Sequence, residues 1–200
     1  MAIYLYCAIP YEEGKNFDFP ERGVYSLHYK GITAVVSDVQ TIEPPLTEDT
    51  TEQHDVVVRE VMKKHIVVPA AFGMALKNKE ILKAILKRFH STIKETFKSL
   101  QNKIELGVKV ILKTNDKTID INECKKEIEN LLSENAIKTV KGRLFSDRLL
   151  LNKSFLVEKD KIENFSAQVA ELEKKYPQFK FQYSGPWPPY SFVNIRIHGR

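Results

Sequence analysis

Glu105-Leu106-Gly107-Val108-Lys109-Val110-Ile111-Leu112 stands near the middle of the chain, alternates, and then turns apolar. That is the pattern of a strand with one buried face. Asn115-Asp116 ends it, and residues 119–136 follow with Ile121, Cys124, Ile128, Leu131 and Leu132 at helical spacing. Arg148 to Val157 is apolar enough for a second strand. Lys159 to Tyr176 reads as a helix with Ile162, Phe165, Val169 and Leu172 inward, stopped by Pro177. Phe179-Lys180-Phe181-Gln182-Tyr183 alternates strictly and is the last good strand. With a further strand hidden before Arg148, the order is a modified βαββαβ, close to the ferredoxin-like split unit. The expected boundary lies near residues 101–104, giving an N-terminal domain over 1–102 and a C-terminal ferredoxin-like domain over 103–200 that includes a Pro/aromatic tail.

The first half reads as short strands followed by long helices. Ile3 to Ile9 is a β-rich apolar run broken by Pro10. Val24-Tyr25-Ser26-Leu27-His28-Tyr29 and Ile32-Thr33-Ala34-Val35-Val36 flank Lys30-Gly31, a hairpin signal. Thr41 to Leu46, with Pro44-Pro45, is a loop. A helix is expected from Thr50-Thr51, with Val57 and Val61 on its apolar face. Ile66-Val67-Val68 reads as a short strand ended by Pro69, and Ala70-Ala71-Phe72-Gly73 as a turn. Leu82, Ile85, Leu86, Phe89, Ile93, Phe97 and Leu100 predict one long helix from about Asn78 to Leu100. The fold class is therefore α+β in two domains, the first a small mixed sheet with long helices.

Hydrophobic residues are 42% and charged residues 28%, ordinary for a globular chain and too apolar for a disordered one. No run of about 18 apolar residues could span a membrane. The start, Met1-Ala2-Ile3-Tyr4-Leu5-Tyr6-Cys7, lacks a basic region ahead of its apolar run and does not read as a signal peptide, so a cytoplasmic protein is expected. Two distant cysteines, Cys7 and Cys124, suit reduced thiols. The net charge of +5, from 31 basic and 26 acidic residues, is mild, and the lysines are interspersed with glutamates.

Ser184-Gly185-Pro186-Trp187-Pro188-Pro189-Tyr190-Ser191-Phe192-Val193 is the unusual stretch. Pro186, Pro188 and Pro189 fix φ and remove three donors, which excludes a central strand. The stiffened chain carries Trp187, Tyr190 and Phe192, aromatic anchors that lose little entropy on binding. The same residues could instead cover the open end of a core, and Trp187-Pro188 could be cis.

The ending Tyr-x-Gly-Pro-Trp-Pro-Pro-Tyr-x-Phe-Val, residues Tyr183 to Val193, resembles the C-terminal signature of the gas vesicle GvpF/GvpL family. Weaker matches follow the same order along nearly the whole chain. They are His54 in a Val-rich helix, Val68-Pro69 with Phe72-Gly73, a long amphipathic helix, Glu105 to Val110, and Leu151-Asn152-Lys153-Ser154-Phe155-Leu156-Val157. Ala70-Ala71 and Met74 depart from the family's usual turn. The resemblance implies a non-enzymatic accessory or minor structural component of gas vesicles, the gas-filled protein shells that give cells buoyancy. It implies binding to the main hydrophobic shell protein and to other gas vesicle accessory proteins during assembly, with no cofactor. It also implies two α+β domains, the second ferredoxin-like. Trp187, Tyr190 and Phe192, braced by Pro186, Pro188 and Pro189, are the candidate partner-binding residues.

Other chemistry is thinly signalled. His28, His54, His65, His90 and His198 show no zinc-site spacing. Nucleotide-loop and Gly-x-Ser-x-Gly motifs are absent. The alternative reading is a small ferredoxin-like RNA-binding or regulatory module. It would use the basic set Lys138, Lys141, Arg143 and Arg148 with Phe145 and Phe155 as stacking residues.

Overall fold

The computed structural model describes residues 1–13, 17–113 and 120–195, and the chain divides into two compact units. One unit is Met1–Gln101 together with the chain from Pro188 onward; the other is Asn102–Trp187. The tail expected within the second domain is thus divided, because its two halves pack in different cores. Asn115-Asp116 and His198 lie outside the described residues.

The first unit is built on β1 (Ala2–Pro10), β2 (Val24–Tyr29), β3 (Ile32–Val39), β4 (Val68–Pro69) and β5 (Ala75–Leu76). β1 is buried from Ile3 to Ile9, as a strand covered on both faces should be. The sheet order is β2-β3-β1-β4, with β5 also on β1. The sheet was expected to be mixed, yet each described pairing is antiparallel. β3 and β4 run parallel, but the intervening helix carries the chain past β1, which separates them. Lys30 (φ 42°) and Gly31 (φ 80°) turn the β2–β3 hairpin with two left-handed residues, the geometry that matches strand twist.

α1 (Glu48–Lys64) starts two residues before the expected Thr50, because Thr47 caps it: Thr47 Oγ1 accepts from Thr50 N at 3.2 Å. Its Val57, Val58 and Val61 pack with Tyr4, Tyr6, Cys7 and Val35. The long helix expected over 78–100 is two helices, α2 (Lys79–Arg88) and α3 (His90–Leu100), broken at Phe89. The break falls where His90 Nε2 donates to the Lys30 carbonyl at 2.8 Å, a distant tie that periodicity does not encode. Ile66 and Val67 lie outside β4, and Pro69 belongs to that short strand rather than ending it.

The second unit runs β6 (Lys103–Leu112), α4 (Ile121–Glu134), β7 (Lys138–Lys141), β8 (Leu149–Glu158), α5 (Ile162–Lys175) and β9 (Phe179–Trp187). Its sheet order is β7-β8-β6-β9, antiparallel throughout, which is the ferredoxin-like arrangement. Ile104, Leu106, Val108 and Val110 of β6 share a core with Leu151, Phe155, Phe179 and Phe181 of the neighbouring strands and with Ile128, Leu132, Phe165 and Val169 of the helices. Alternation therefore places every second strand residue under α4 and α5.

Candidate functional site

The Pro/aromatic segment begins as strand. Pro186 and Trp187 close β9, the edge strand beside β6, where a missing amide donor costs no ladder bond. Glu105 pairs with Trp187 and Gly107 with Ser184, so Gly185 and Pro186 together oppose Leu106 as a bulge. The cis bond is Gly185–Pro186, not Trp187–Pro188. A Cβ on Gly185, whose φ is 126°, would lie 3.0 Å from Leu106 Cδ2 and 3.1 Å from the Glu105 carbonyl oxygen. Glycine is required by both conformation and space. Trp187 is half-buried.

From Pro188 the chain packs with the first unit. Pro188 and Pro189 are buried, Tyr190–Phe192 forms one turn of 3-10 helix, and Tyr190 and Phe192 are half-buried. The Tyr190 ring lies 6.0 Å from that of His54, and Tyr190 joins the core beneath α1. Burial raises its phenol pKa, and Asp55 adds to the effect. Of the six expected binding residues, Tyr190 thus has an evident packing role and Pro186 an exposed edge position.

Around Tyr190 lies a polar-aromatic cluster that sequence reading missed. His54, buried on α1, shares a 2.9 Å hydrogen bond between Nδ1 and Tyr4 Oη, which also accepts the Gly73 N–H at 3.0 Å. Phe72 and Tyr6 face the same imidazole at 5.8 Å. Tyr6 Oη meets Ser37 Oγ at 3.1 Å and accepts from Gln53 Nε2 at 3.2 Å. Burial lowers the His54 pKa, opposed by the Ala70 carbonyl and by Asp55. Among the described residues, His54 Nε2 nevertheless has no partner in good hydrogen-bond geometry. His54 and Phe72-Gly73 stood among the family matches and Tyr4 and Tyr6 share i, i+2 spacing on an apolar strand, but nothing local in the sequence brings them together. The His65 ring packs edge-on against Phe17, with centroids 6.1 Å apart. Among the described residues, no group of three His, Cys, Asp or Glu is arranged to hold a metal ion.

In the second unit, residues 137–148 are exposed throughout, and the hidden strand is β7. The RNA reading drew on Phe155 as a stacking residue. Phe155 is fully buried and packs on Phe165 at 5.2 Å, on the helix-covered face. Phe145 is exposed, but on a loop.

These features define a small α+β protein of two units, the second ferredoxin-like, whose clustered polar groups are packed into cores or spread on surfaces. The chain belongs to the gas vesicle GvpL/GvpF family: the model described as gas vesicle synthesis protein GvpL/GvpF matches residues 2–128 and 120–194. It is 38% identical over 177 residues to gas vesicle protein F1 of Halobacterium salinarum, covering 87% of this chain and 83% of that one. It is 35% identical over 178 residues to gas vesicle protein F of Haloferax mediterranei, with the same coverage of 87% and 83%. The fold matches the crystal structure of GvpF from Anabaena with a TM-score of 0.83 at 19% identity, covering 100% of this chain and 98% of that chain. It matches GvpF from Microcystis aeruginosa with a TM-score of 0.80 at 16% identity, covering 97% and 99%. No described helix is long and apolar enough to cross a membrane.

Proposed function

We propose that this protein is an accessory or minor structural component of gas vesicles. In this reading it acts by binding the main hydrophobic shell protein and other accessory proteins during assembly, without catalysing a reaction. The family match along nearly the whole chain carries the reading. The segment Pro186 to Phe192 supports a binding role, because it is stiffened by Pro186, Pro188 and Pro189 and keeps Trp187 and Phe192 half-exposed. Aromatic side chains held this way anchor a partner at small entropic cost. Tyr190 contributes by fixing the segment against α1.

The test is capture of the main shell protein by the full chain, compared with Trp187→Ala and Phe192→Ala. Loss of capture by correctly folded variants supports the anchors. Equal capture removes the anchor assignment, and no capture by the unmodified chain removes shell-protein binding.

A further inference from the structure

The edge of the second sheet formed by β7 combines three properties on one short stretch. Among the described residues, β7 pairs with β8 alone. Gly142 N donates to the Asn152 carbonyl at 2.8 Å, and Lys138 to Lys141 pair with Leu156 to Lys153. In an antiparallel ladder, alternate residues bond inward, so Thr139 and Lys141 turn their backbone N–H and C=O groups away from β8. Ile137, Val140, Leu144 and Phe145 expose 38–70% of their surface within nine residues. Leu144, Phe145 and Leu150 also line a groove with Lys125 and Arg143, and Lys109 Nζ stands 5.7 Å from the Phe145 ring centroid.

The charge around this edge is one-sided. Lys109, Lys125, Lys138, Lys141 and Arg143 surround it, against Asp147 and Glu129. Glu129 is already engaged by Lys153 at 2.6 Å. Pairing of β7 with a second β7 would bring lysines against lysines, which disfavours self-association. An acidic strand would relieve that repulsion.

We propose that β7 accepts an extended segment of a partner protein, alternating acidic and apolar residues, as a fifth strand of this sheet. The segment's main chain pairs with Thr139 and Lys141. Its apolar side chains meet Leu144 and Phe145, and its carboxylates meet Lys138 and Arg143. This deepens the reading of the chain as a protein-binding component and rests on it.

Fluorescence anisotropy of the full chain with a labelled peptide of about eight residues alternating Glu and Val, a strand's length, tests the proposal. The expected result is saturable binding, at least about tenfold weaker for a Lys-Val peptide and for K138E/R143E. Thr139→Pro removes only an outward N–H and is expected to abolish binding while circular dichroism and thermal unfolding are unchanged. If Thr139→Pro fails to fold, the K138E/R143E double variant decides. Undiminished binding by either folded variant overturns the proposal, as does tighter binding of a short single-stranded RNA that K138E/R143E abolishes. Shell-protein capture without peptide binding rejects this edge and leaves the broader reading standing. Peptide binding without shell-protein capture supports the edge and removes that partner.

Discussion

Tyr4 Oη and His54 Nδ1 lie 2.9 Å apart, joining the first strand of the chain to the first helix across fifty residues. Tyr4 also accepts the Gly73 amide, so one phenol holds α1 and the 71–74 turn against β1. Tyr4→Phe leaves the Gly73 N–H and the imidazole without that partner in a buried setting. The expected cost is about 1–3 kcal/mol, read as a lower urea midpoint with unchanged slope.

His54 gives stability a pH dependence. Its folded pKa is below the ordinary 6.5, chiefly because burial penalises the charged ring. The unfolded chain therefore binds a proton at pH values where the folded protein does not. The group's contribution is fully present above 6.5 and is lost as pH falls through the folded value. Urea unfolding at roughly pH 7.5 and roughly pH 5 should show stability falling, and His54→Gln should flatten that part of the profile.

Gly185 and Gly23 both have positive φ but differ in surroundings. Gly23, at φ 64°, has open space where a Cβ would go, so Gly23→Ala is expected to cost about 1 kcal/mol. Gly185→Ala meets Leu106, the Glu105 carbonyl and Trp187 within 3.3 Å. It should cost about 2–4 kcal/mol by thermal unfolding, from strain and overpacking together.

Lys153 is buried, 5% exposed, and its ammonium is held by Glu129 at 2.6 Å. The ion pair also holds the Glu129 carboxyl below its ordinary pKa, mainly through the Lys153 hydrogen bond. Glu129→Gln strands a buried cation and should cost about 3 kcal/mol. Lys153→Met leaves Glu129 partly exposed and near Lys141 at 3.6 Å, and should cost within about 1 kcal/mol. Chemical denaturation of the two variants measures the asymmetry.

Phe145 and Phe155 look equivalent in the sequence and are opposite in the fold. Phe155→Ala is expected to lose about 3–5 kcal/mol, since it empties a fully buried site. Phe145→Ala, at 70% exposure, should change stability by less than about 0.5 kcal/mol.

Much of the second unit was legible because its strands alternate and its helices repeat at helical spacing. β6, β8 and the start of β9 fall where the apolar pattern places them. β7 carries no such pattern, since Lys138 to Lys141 are all exposed, and only topology assigns it to an edge. The Asn78–Leu100 pattern is continuous across Phe89, so the break between α2 and α3 left no mark in the periodicity.

The sequence by itself determined the α+β class, the β2–β3 hairpin, the ferredoxin-like order and the family signature over Tyr183 to Val193. These are local matters of period, turn chemistry and residue type. Only the tertiary structure decided that Pro186 completes an edge strand, that Tyr190 packs beside His54, and that His54 bonds Tyr4. Each depends on which distant segments share a core, and burial is decided by the assembled chain rather than by any short stretch of it.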